Sequence, residues 1–407
     1  MNYAEIVAPS DSSDAARFTQ LATSRLSELP TSEGRVEELS RGDELTSAWL
    51  SRTGFSRPVR VHDSRGLGLR VPPRPFGVRD VALSLGPEWP VEVLDVGTQS
   101  EVPGSWTLGD WAAYFATPAA ARRRTLNVLT LEVSGTPLGD RVRAPRAVRS
   151  VDWIDTVWPG GRRGAGEFPA VQKYCLMSVA GCYTDFHVDF GGTSVWYHVH
   201  TGAKTFVLAP PTPQVLQTFG EWSRGVGKGA AARAEWLPDV LPKGASFSVS
   251  LRAGETLLIP AGWVHAVYTP QDSLVFGGNF LHGFAMETQL RIFDLENLAR
   301  IKKRYVSARS GRDRSYSCLP HATHKPLAPF LLYSSLRSAF RISSTSTFTP
   351  LLITFNSFGS QQSVRLSRGG FRRLRAAQLP RARLLRVGPI KGPFQEERLL
   401  LPRYCPT

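Results

Sequence analysis

The residues best suited to chemistry are His187-Val188-Asp189, with His265 following 76 residues after Asp189. Side chains alternate along an extended segment, so His187 and Asp189 are expected on one face of a strand. His265 opens another strand, just after the turn Pro260-Ala261-Gly262-Trp263. Two imidazoles and one carboxylate converging in this way make a facial triad, the donor set that holds Fe(II) and leaves positions open for substrate and O2. His-x-Asp alone is a common tripeptide; a third donor on a second strand gives it weight. Thr184 precedes His187 by three residues, Tyr197 follows it by ten and Lys204 by seventeen. Lys204 sits among Thr205, Phe206, Val207 and Leu208, where an ammonium is unfavourable unless an anion pairs with it. A doubly charged organic acid beside the metal would be such a partner, with hydroxyls as further donors. Without the triad, a solvated edge lysine would be the better reading of Lys204.

The elements that must position these residues are short strands. Between Lys173 and Phe280 the pattern predicts Lys173–Val179, Tyr183–Phe190, Ser194–His200, Lys204–Leu208, Ser246–Leu251, Thr256–Pro260, Val264–Thr269 and Ser273–Phe280. Strands this short, separated mostly by turn residues, indicate a sandwich or jelly-roll barrel. Gly220 to Gly244 reads as a loop insertion, and Met286 to Tyr305 as a helix against the barrel. Upstream, apolar residues at Val36, Leu39, Leu45 and Trp49 predict a helix over Thr31 to Leu50. Arg57 to Pro90, broken by Gly and Pro, reads as short strands and loops. Thr107 with Asp110 predicts a capped helix that stops before Pro118, and Asn127 to Val133 a β-rich segment. After Tyr305, Ser, Arg, Pro and Leu mix without period, and too little apolar surface is available to offset the ordering entropy.

The 407 residues are 42% hydrophobic, enough to bury a sizeable core in one large domain or two ordinary ones. The longest apolar runs, Pro350 to Phe355 among them, fall far short of the roughly 20 residues a membrane helix needs. Met1-Asn2-Tyr3-Ala4-Glu5 offers no basic start and no apolar region after it, so no secretory signal is expected. Cys175, Cys182, Cys318 and Cys405 form no C-x-x-C pair, which weighs against a disulfide scaffold, a zinc finger or a secreted protein. An intracellular, soluble protein without membrane contact is expected. Of the net charge of +15, most belongs to Val306–Thr407, which carries 17 Lys/Arg against 3 Asp/Glu. The other residues carry 32 basic against 31 acidic side chains, so the high overall basicity does not itself imply a nucleic-acid-binding fold.

Longer blocks carry a resemblance. Lys173-Tyr174-Cys175-Leu176-Met177-Ser178-Val179 and Gly181-Cys182-Tyr183-Thr184-Asp185-Phe186-His187-Val188-Asp189-Phe190-Gly191-Gly192-Thr193-Ser194-Val195-Trp196-Tyr197-His198 closely resemble the JmjC histone lysine demethylases. The resemblance is to the subfamily whose members carry F-box and CXXC modules, with the PHD-finger demethylases as close relatives. Pro210-Pro211-Thr212, Ile259-Pro260-Ala261-Gly262-Trp263-Val264-His265-Ala266-Val267-Tyr268-Thr269-Pro270 and Phe276-Gly277-Gly278-Asn279-Phe280-Leu281-His282 continue it. Asn127-Val128-Leu129, Leu131-Glu132 and Val151-Asp152-Trp153 are similar as well.

The resemblance implies a mainly β fold with flanking helices: a double-stranded β-helix (jelly-roll, cupin-like) JmjC barrel, N-terminal α/β elements and a disordered C-terminal tail. On this reading residues 1–30 are a flexible leader and 31–135 a mixed region packing on the barrel. Residues 136–305 are then the catalytic domain with its trailing helix, and 306–407 a basic, disordered tail. His187, Asp189 and His265 would bind Fe(II). Thr184 and Lys204 would hold the distal carboxylate of 2-oxoglutarate as cosubstrate, with Tyr197 and Asn127 completing its pocket. The implied activity is oxidation of an N-methyl group on a histone H3 tail, with mono- or dimethyl lysine 36 preferred, releasing formaldehyde, succinate and CO2. The rivals are a JmjC hydroxylase that removes no carbon and a noncatalytic chromatin scaffold. A nuclear location and a nucleosomal partner follow from the same resemblance. Cys175 and Cys182 in the barrel and two isolated cysteines in the tail offer no zinc reader module, and no leucine-rich period is seen, so chromatin targeting by this chain is expected to be absent or supplied by the basic tail or by partners. Arg368–Arg386 would contact DNA phosphates weakly or serve as a nuclear localisation signal, though a solvated tail is the plainer reading. His198 and His200 are expected to pack or hydrogen-bond rather than ligate. Asn279 and His282 either line the substrate mouth or satisfy a strand end, and Glu132 has no evident role.

Overall fold

The computed structural model describes residues 24–164, 166, 168–224, 235–298, 352–357 and 360–365. The N-terminal region supplies β1 (Glu37–Arg41), α1 (Ser47–Thr53), β2 (Val59–Asp63), α2 (Val78–Leu85), β3 (Pro90–Val91), β4 (Leu94–Asp95), β5 (Ser100–Glu101), β6 (Trp106–Thr107), α3 (Leu108–Ala116) and β7 (Leu126–Glu132). Four short helices follow: α4 (Pro137–Asp140), α5 (Arg146–Val151), α6 (Trp153–Thr156) and α7 (Gly160–Gly164). Then come β8 (Tyr174–Ser178), β9 (Tyr183–His187), β10 (Ser194–Ala209), α8 (Pro213–Arg224), α9 (Leu237–Val240), β11 (Phe247–Arg252), β12 (Thr256–Ile259), β13 (Val264–Phe280) and α10 (Met286–Leu298).

Eleven strands join in one sheet ordered β1-β2-β12-β10-β13-β8-β7-β4-β5, with β11 pairing β10 and β9 pairing β13. The two long strands β10 and β13 run antiparallel through its centre, Ser194 opposite Phe280 and Ala209 opposite Val264. Each turns the corner between the two halves of the jelly roll through register shifts between Val199 and Thr205. These bends let β10 pair with β12 at one end and β11 at the other. Along β10, Trp196, Val207 and Ala209 enter one buried cluster, while Val195, Tyr197, Val199, Phe206 and Leu208 enter another. Period-two alternation thus fills both faces, and the sheet is buried on each side. Among the described residues, no helix is long and apolar enough to cross a membrane.

The eight expected strands appear as six, because Ser194–His200 continues into Lys204–Leu208 and Val264–Thr269 into Ser273–Phe280. Polar residues at Thr201, Gln271 and Asp272 look like turns but mark the bends of continuous strands. Gly202, with φ +78°, takes the left-handed conformation there, and a Cβ would lie 2.2 Å from the Asp272 carbonyl oxygen. The helix expected over Thr31–Leu50 is overturned. Its middle is β1, paired parallel to β2 at the sheet edge, and only a 3-10 turn at Gly42–Glu44 and the α-helix from Ser47 onward are helical. Burial of Leu39 there comes from strand pairing rather than from a helical stripe. Arg57–Pro90 contains α2, and the expected loop over 220–244 holds the end of α8 and all of α9. The helix at Leu108–Ala116 is capped as expected, with the Thr107 hydroxyl accepting from Asp110 N–H at 3.2 Å. Within 306–407 only Leu352–Ser357 and Ser360–Arg365 are described, as an antiparallel hairpin in a separate compact unit. The other residues expected to be disordered there, and in the leader before Ser24, lie outside the described residues.

Candidate metal centre

His187 ends β9 and His265 lies one residue into β13, directly across the antiparallel pair. Their ring centroids are 4.2 Å apart. Asp189 is not on the strand, as alternation suggested. The chain leaves the ladder at His187 while still extended, and Asp189 (φ −59°, ψ 139°) starts a tight turn through Phe190–Gly192. One donor atom from each of His187, Asp189 and His265 lies within 4.8 Å of the others. His265 Nε2 and Asp189 Oδ2 are 3.7 Å apart.

Both imidazoles are oriented by backbone. His187 Nδ1 lies 2.8 Å from the Asp185 carbonyl oxygen, and His265 Nδ1 lies 3.0 Å from that of Trp263. A carbonyl only accepts, so each Nδ1 carries a proton and each Nε2 is the nitrogen left to bind a metal. Burial, then the neighbouring His187, lowers the His265 pKa to about 4, so this imidazole is neutral at pH 7. Two imidazoles and a carboxylate, converging from two strands and a turn, fit a divalent metal of the Fe(II) type.

Asp189 is held from two sides. Asn279, near the end of β13, donates to Asp189 Oδ1 at 3.2 Å and to Thr193 Oγ1 at 2.9 Å. Glu296 of α10 accepts from the Gly191 N–H at 2.7 Å. Gly191 and Gly192 both have φ near +60°, and a Cβ on Gly192 would meet the Gln289 backbone at 2.9 Å. Gly262, in the turn before His265, also faces α10, where a Cβ would sit 2.4 Å from Thr288 Cγ2. A single helix therefore backs both turns that deliver metal donors. Sequence reasoning left Asn279 between two roles and gave Glu296 none; the paired glycines after Asp189 are the signal that something packs tightly on that turn.

Lys204 is buried on β10, and its Nζ donates to Ser178 Oγ at 2.7 Å and Thr269 Oγ1 at 2.8 Å. Desolvation lowers its pKa from 10.5 to about 8. An ammonium has three donors, and these hydroxyls use two. Asn127 pairs with Ser178 across β7 and β8; it is buried, and its Oδ1 has no partner. Turning that amide over would place an NH2 donor in the same spot. Thr184 lies opposite Val267, two residues from Thr269. Tyr197 is buried in the second cluster, its ring 5.0 Å from Phe206 and perpendicular to it, and Phe206 in turn lies 6.3 Å from the His265 ring. Burial raises the Tyr197 phenol far above its ordinary range. The sequence did not single out Ser178 or Thr269, although a lysine in an apolar strand requires oxygen neighbours.

The remaining histidines stand apart. His198 Nδ1 is 2.9 Å from Thr256 Oγ1, and His200 packs edge-on against Phe76 and Phe276. His282 accepts from Phe284 N–H and bonds Ser194 Oγ at 2.7 Å, satisfying the strand end. Glu132, the last residue of β7, accepts from the Ser134 N–H and hydroxyl. Cys175 and Cys182 are buried free thiols.

A double-stranded β-helix carrying a His-x-Asp…His donor set defines the class: a barrel built around one non-haem metal position. Residues 174–280 match the family described as "JmjC domain, hydroxylase", so the chain carries a JmjC domain. It is 41% identical over 274 residues to lysine-specific demethylase 2A of Xenopus tropicalis, covering 65% of this chain and 23% of the relative. It is 43% identical over 287 residues to JmjC domain-containing histone demethylation protein 1 of Mycosarcoma maydis, covering 69% of this chain and 42% of the relative. Histone lysine demethylase PHF8 of Danio rerio is 42% identical over 255 residues, 63% of this chain and 24% of the relative. The chain thus spans less than half the length of these curated relatives.

Proposed function

We propose that the chain is an Fe(II)- and 2-oxoglutarate-dependent histone lysine demethylase, acting in the nucleus on the methylated tail of histone H3. Mono- or dimethyl lysine 36 is the proposed substrate. The observation that carries this reading is the convergence of two backbone-oriented imidazoles and a carboxylate, with a buried ammonium that has a donor to spare on β10, the strand paired with the one that carries His265. His187, Asp189 and His265 would hold Fe(II). Lys204, Thr184, Tyr197 and Asn127 would bind 2-oxoglutarate through its distal carboxylate. The names of the three relatives support the substrate class.

When bound, iron with 2-oxoglutarate supplies the oxidation of a C–H bond by O2, with succinate and CO2 as coproducts. The chain's own residues do the positioning. The carbonyls of Asp185 and Trp263 fix the imidazole tautomers, and Asn279 fixes Asp189 so that its second oxygen is free for the metal. Lys204 offsets one carboxylate charge where water is excluded. Hydroxylation of an N-methyl carbon gives a hemiaminal that loses formaldehyde without further help from the protein. Hydroxylation of a side-chain carbon, the rival activity that the family description admits, ends at the alcohol. Mass spectrometry of methylated H3 peptides incubated with the full chain, Fe(II), 2-oxoglutarate and O2 separates them. Loss of a methyl mass from one peptide supports the proposal and names the lysine. Gain of an oxygen mass, or no change with metal bound, overturns it.

A further inference from the structure

Six arginines gather on one face beside the barrel. Arg70 and Arg143 are paired through both backbone hydrogen bonds, N–H to carbonyl in each direction. Arg146 donates its N–H to the Leu67 carbonyl, and its Cβ is 2.9 Å from where a Gly68 Cβ would stand. Arg149 lies near enough to Arg143 and Arg146 that their charges help lower its pKa, after burial itself. Arg141 stacks 5.0 Å over the Phe76 ring and lines a surface pocket with Arg74. All but half-buried Arg149 are exposed. Among the described ion pairs none involves these six, whereas Arg25, Arg41, Arg57, Arg60, Arg122 and Arg124 each hold a carboxylate. Asp80 and Asp140 are the carboxylates at the rim; Asp80 is turned to the Gly77 N–H, and Asp155 nearby is paired with Arg163.

Two of the six guanidinium groups are held by carbonyls instead. Arg70 Nη2 donates to the Asp140 carbonyl oxygen, Arg149 Nε to that of Ala144 at 2.9 Å, and Arg149 Nη2 to that of Gly68 at 3.5 Å. Such bonds fix the forks without neutralising them. Because residues before Val306 are nearly neutral in sum, this face is positive by segregation rather than by excess. Phe76 under Arg141 is buried, so no exposed ring is offered here for stacking a base. A cluster of guanidinium forks outside the described ion pairs suits phosphate oxygens, which a fork can bind bidentately.

We propose that this arginine face is a docking surface for the phosphate backbone of double-stranded DNA. A chain of contacts leads from it toward the metal position: α5, which carries Arg146 and Arg149, is followed by Asp152. That carboxylate accepts from the Leu281 N–H at 3.5 Å, two residues beyond Asn279. DNA held here would stand beside a histone tail entering the barrel. The inference deepens the nucleosomal reading, yet its binding test needs no turnover.

The test is fluorescence anisotropy of the full chain with a labelled duplex across a salt series. R141A/R143A/R146A should flatten the plot of log affinity against log salt by about 0.9 for each phosphate that is no longer neutralised, so by roughly two to three units. R141K/R143K/R146K should keep most of the slope, and R143E should weaken binding more than R143A. The comparison is repeated with Arg372, Arg373 and Arg375 changed to Ala, which lowers any contribution of the basic tail equally on both sides. Turnover on an H3 peptide and the thermal midpoint should not change in the triple alanine variant, while turnover on nucleosomes falls. An unchanged salt slope in the folded variant overturns the proposal. So does disappearance of the difference in the background with those three tail arginines removed, or preference for an acidic peptide over a duplex of equal charge.

Discussion

Replacing Lys204 by Met separates what the ammonium does for binding from what it does to stability. Burial lowers its pKa from 10.5 to about 8. At about 1.4 kcal/mol per unit, holding the charged form inside the barrel at pH 7 destabilises the ligand-free fold on the order of 3 kcal/mol. Met fills a similar volume and carries no charge, but it forfeits the bonds to Ser178 and Thr269, each of which contributes about 1 kcal/mol. The net expectation is a ligand-free variant more stable by about 1 kcal/mol, a rise of roughly 2 to 4 °C in unfolding midpoint. The pH dependence has a definite sign. The unfolded chain binds a proton at Lys204 that the folded chain releases between about 8 and 10.5, so wild-type stability rises through that window relative to K204M. The variant's advantage of about 1 kcal/mol is therefore full below about pH 8, passes through zero inside the window and reverses by about 10.5, where wild type should be the more stable by about 2 kcal/mol. Adding 2-oxoglutarate at a hundredfold excess over Kd to the Mn(II)-loaded protein should stabilise wild type by about a further 2.7 kcal/mol and leave K204M with only the shift that Mn(II) gives. Scanning fluorimetry at several pH values reads all of this. A variant that is less stable by the same margin at every pH would refute the reasoning and make Lys204 a structural residue.

Three further outcomes follow. His187→Ala should abolish the thermal shift that Mn(II) gives wild type while leaving the metal-free midpoint within a few degrees, because the ring is half-buried at a strand end; an undiminished shift would place the metal elsewhere. Asn279→Ala frees the Asp189 carboxylate and leaves Thr193 without its donor. Metal affinity, measured by calorimetry with Mn(II), should fall about 10- to 100-fold. Thr107→Ala removes the cap of α3 and should lower stability by about 1 kcal/mol in denaturant, with no change in metal binding.

Much of the site was legible because its chemistry is local or repeats along strands. His187 and Asp189 are two residues apart, and His265 announces itself by standing after a Pro-Ala-Gly turn at the start of an apolar run. The α3 cap was legible for the same reason, since Thr107 and Asp110 satisfy each other within one turn. What the sequence concealed was long-range. Asn279 reaches Asp189 across 90 positions, and Glu296 reaches Gly191 across 105. Neither spacing leaves a periodic trace. The misassigned helix over Thr31–Leu50 failed similarly: Leu39 is buried by a parallel partner strand that begins only at Val59. Polar residues at Thr201 and Asp272 read as turns because nothing local reveals that both neighbours bend with them.

The measurement that bears most directly on the central claim is the ratio of formaldehyde to succinate released by the full chain on a methylated H3 peptide, with Fe(II) and 2-oxoglutarate, beside the His187→Ala variant. One formaldehyde for each succinate on a single peptide, with both products lost in the variant, is the expected result. Succinate without formaldehyde, or formaldehyde that persists after His187 is removed, would contradict the account.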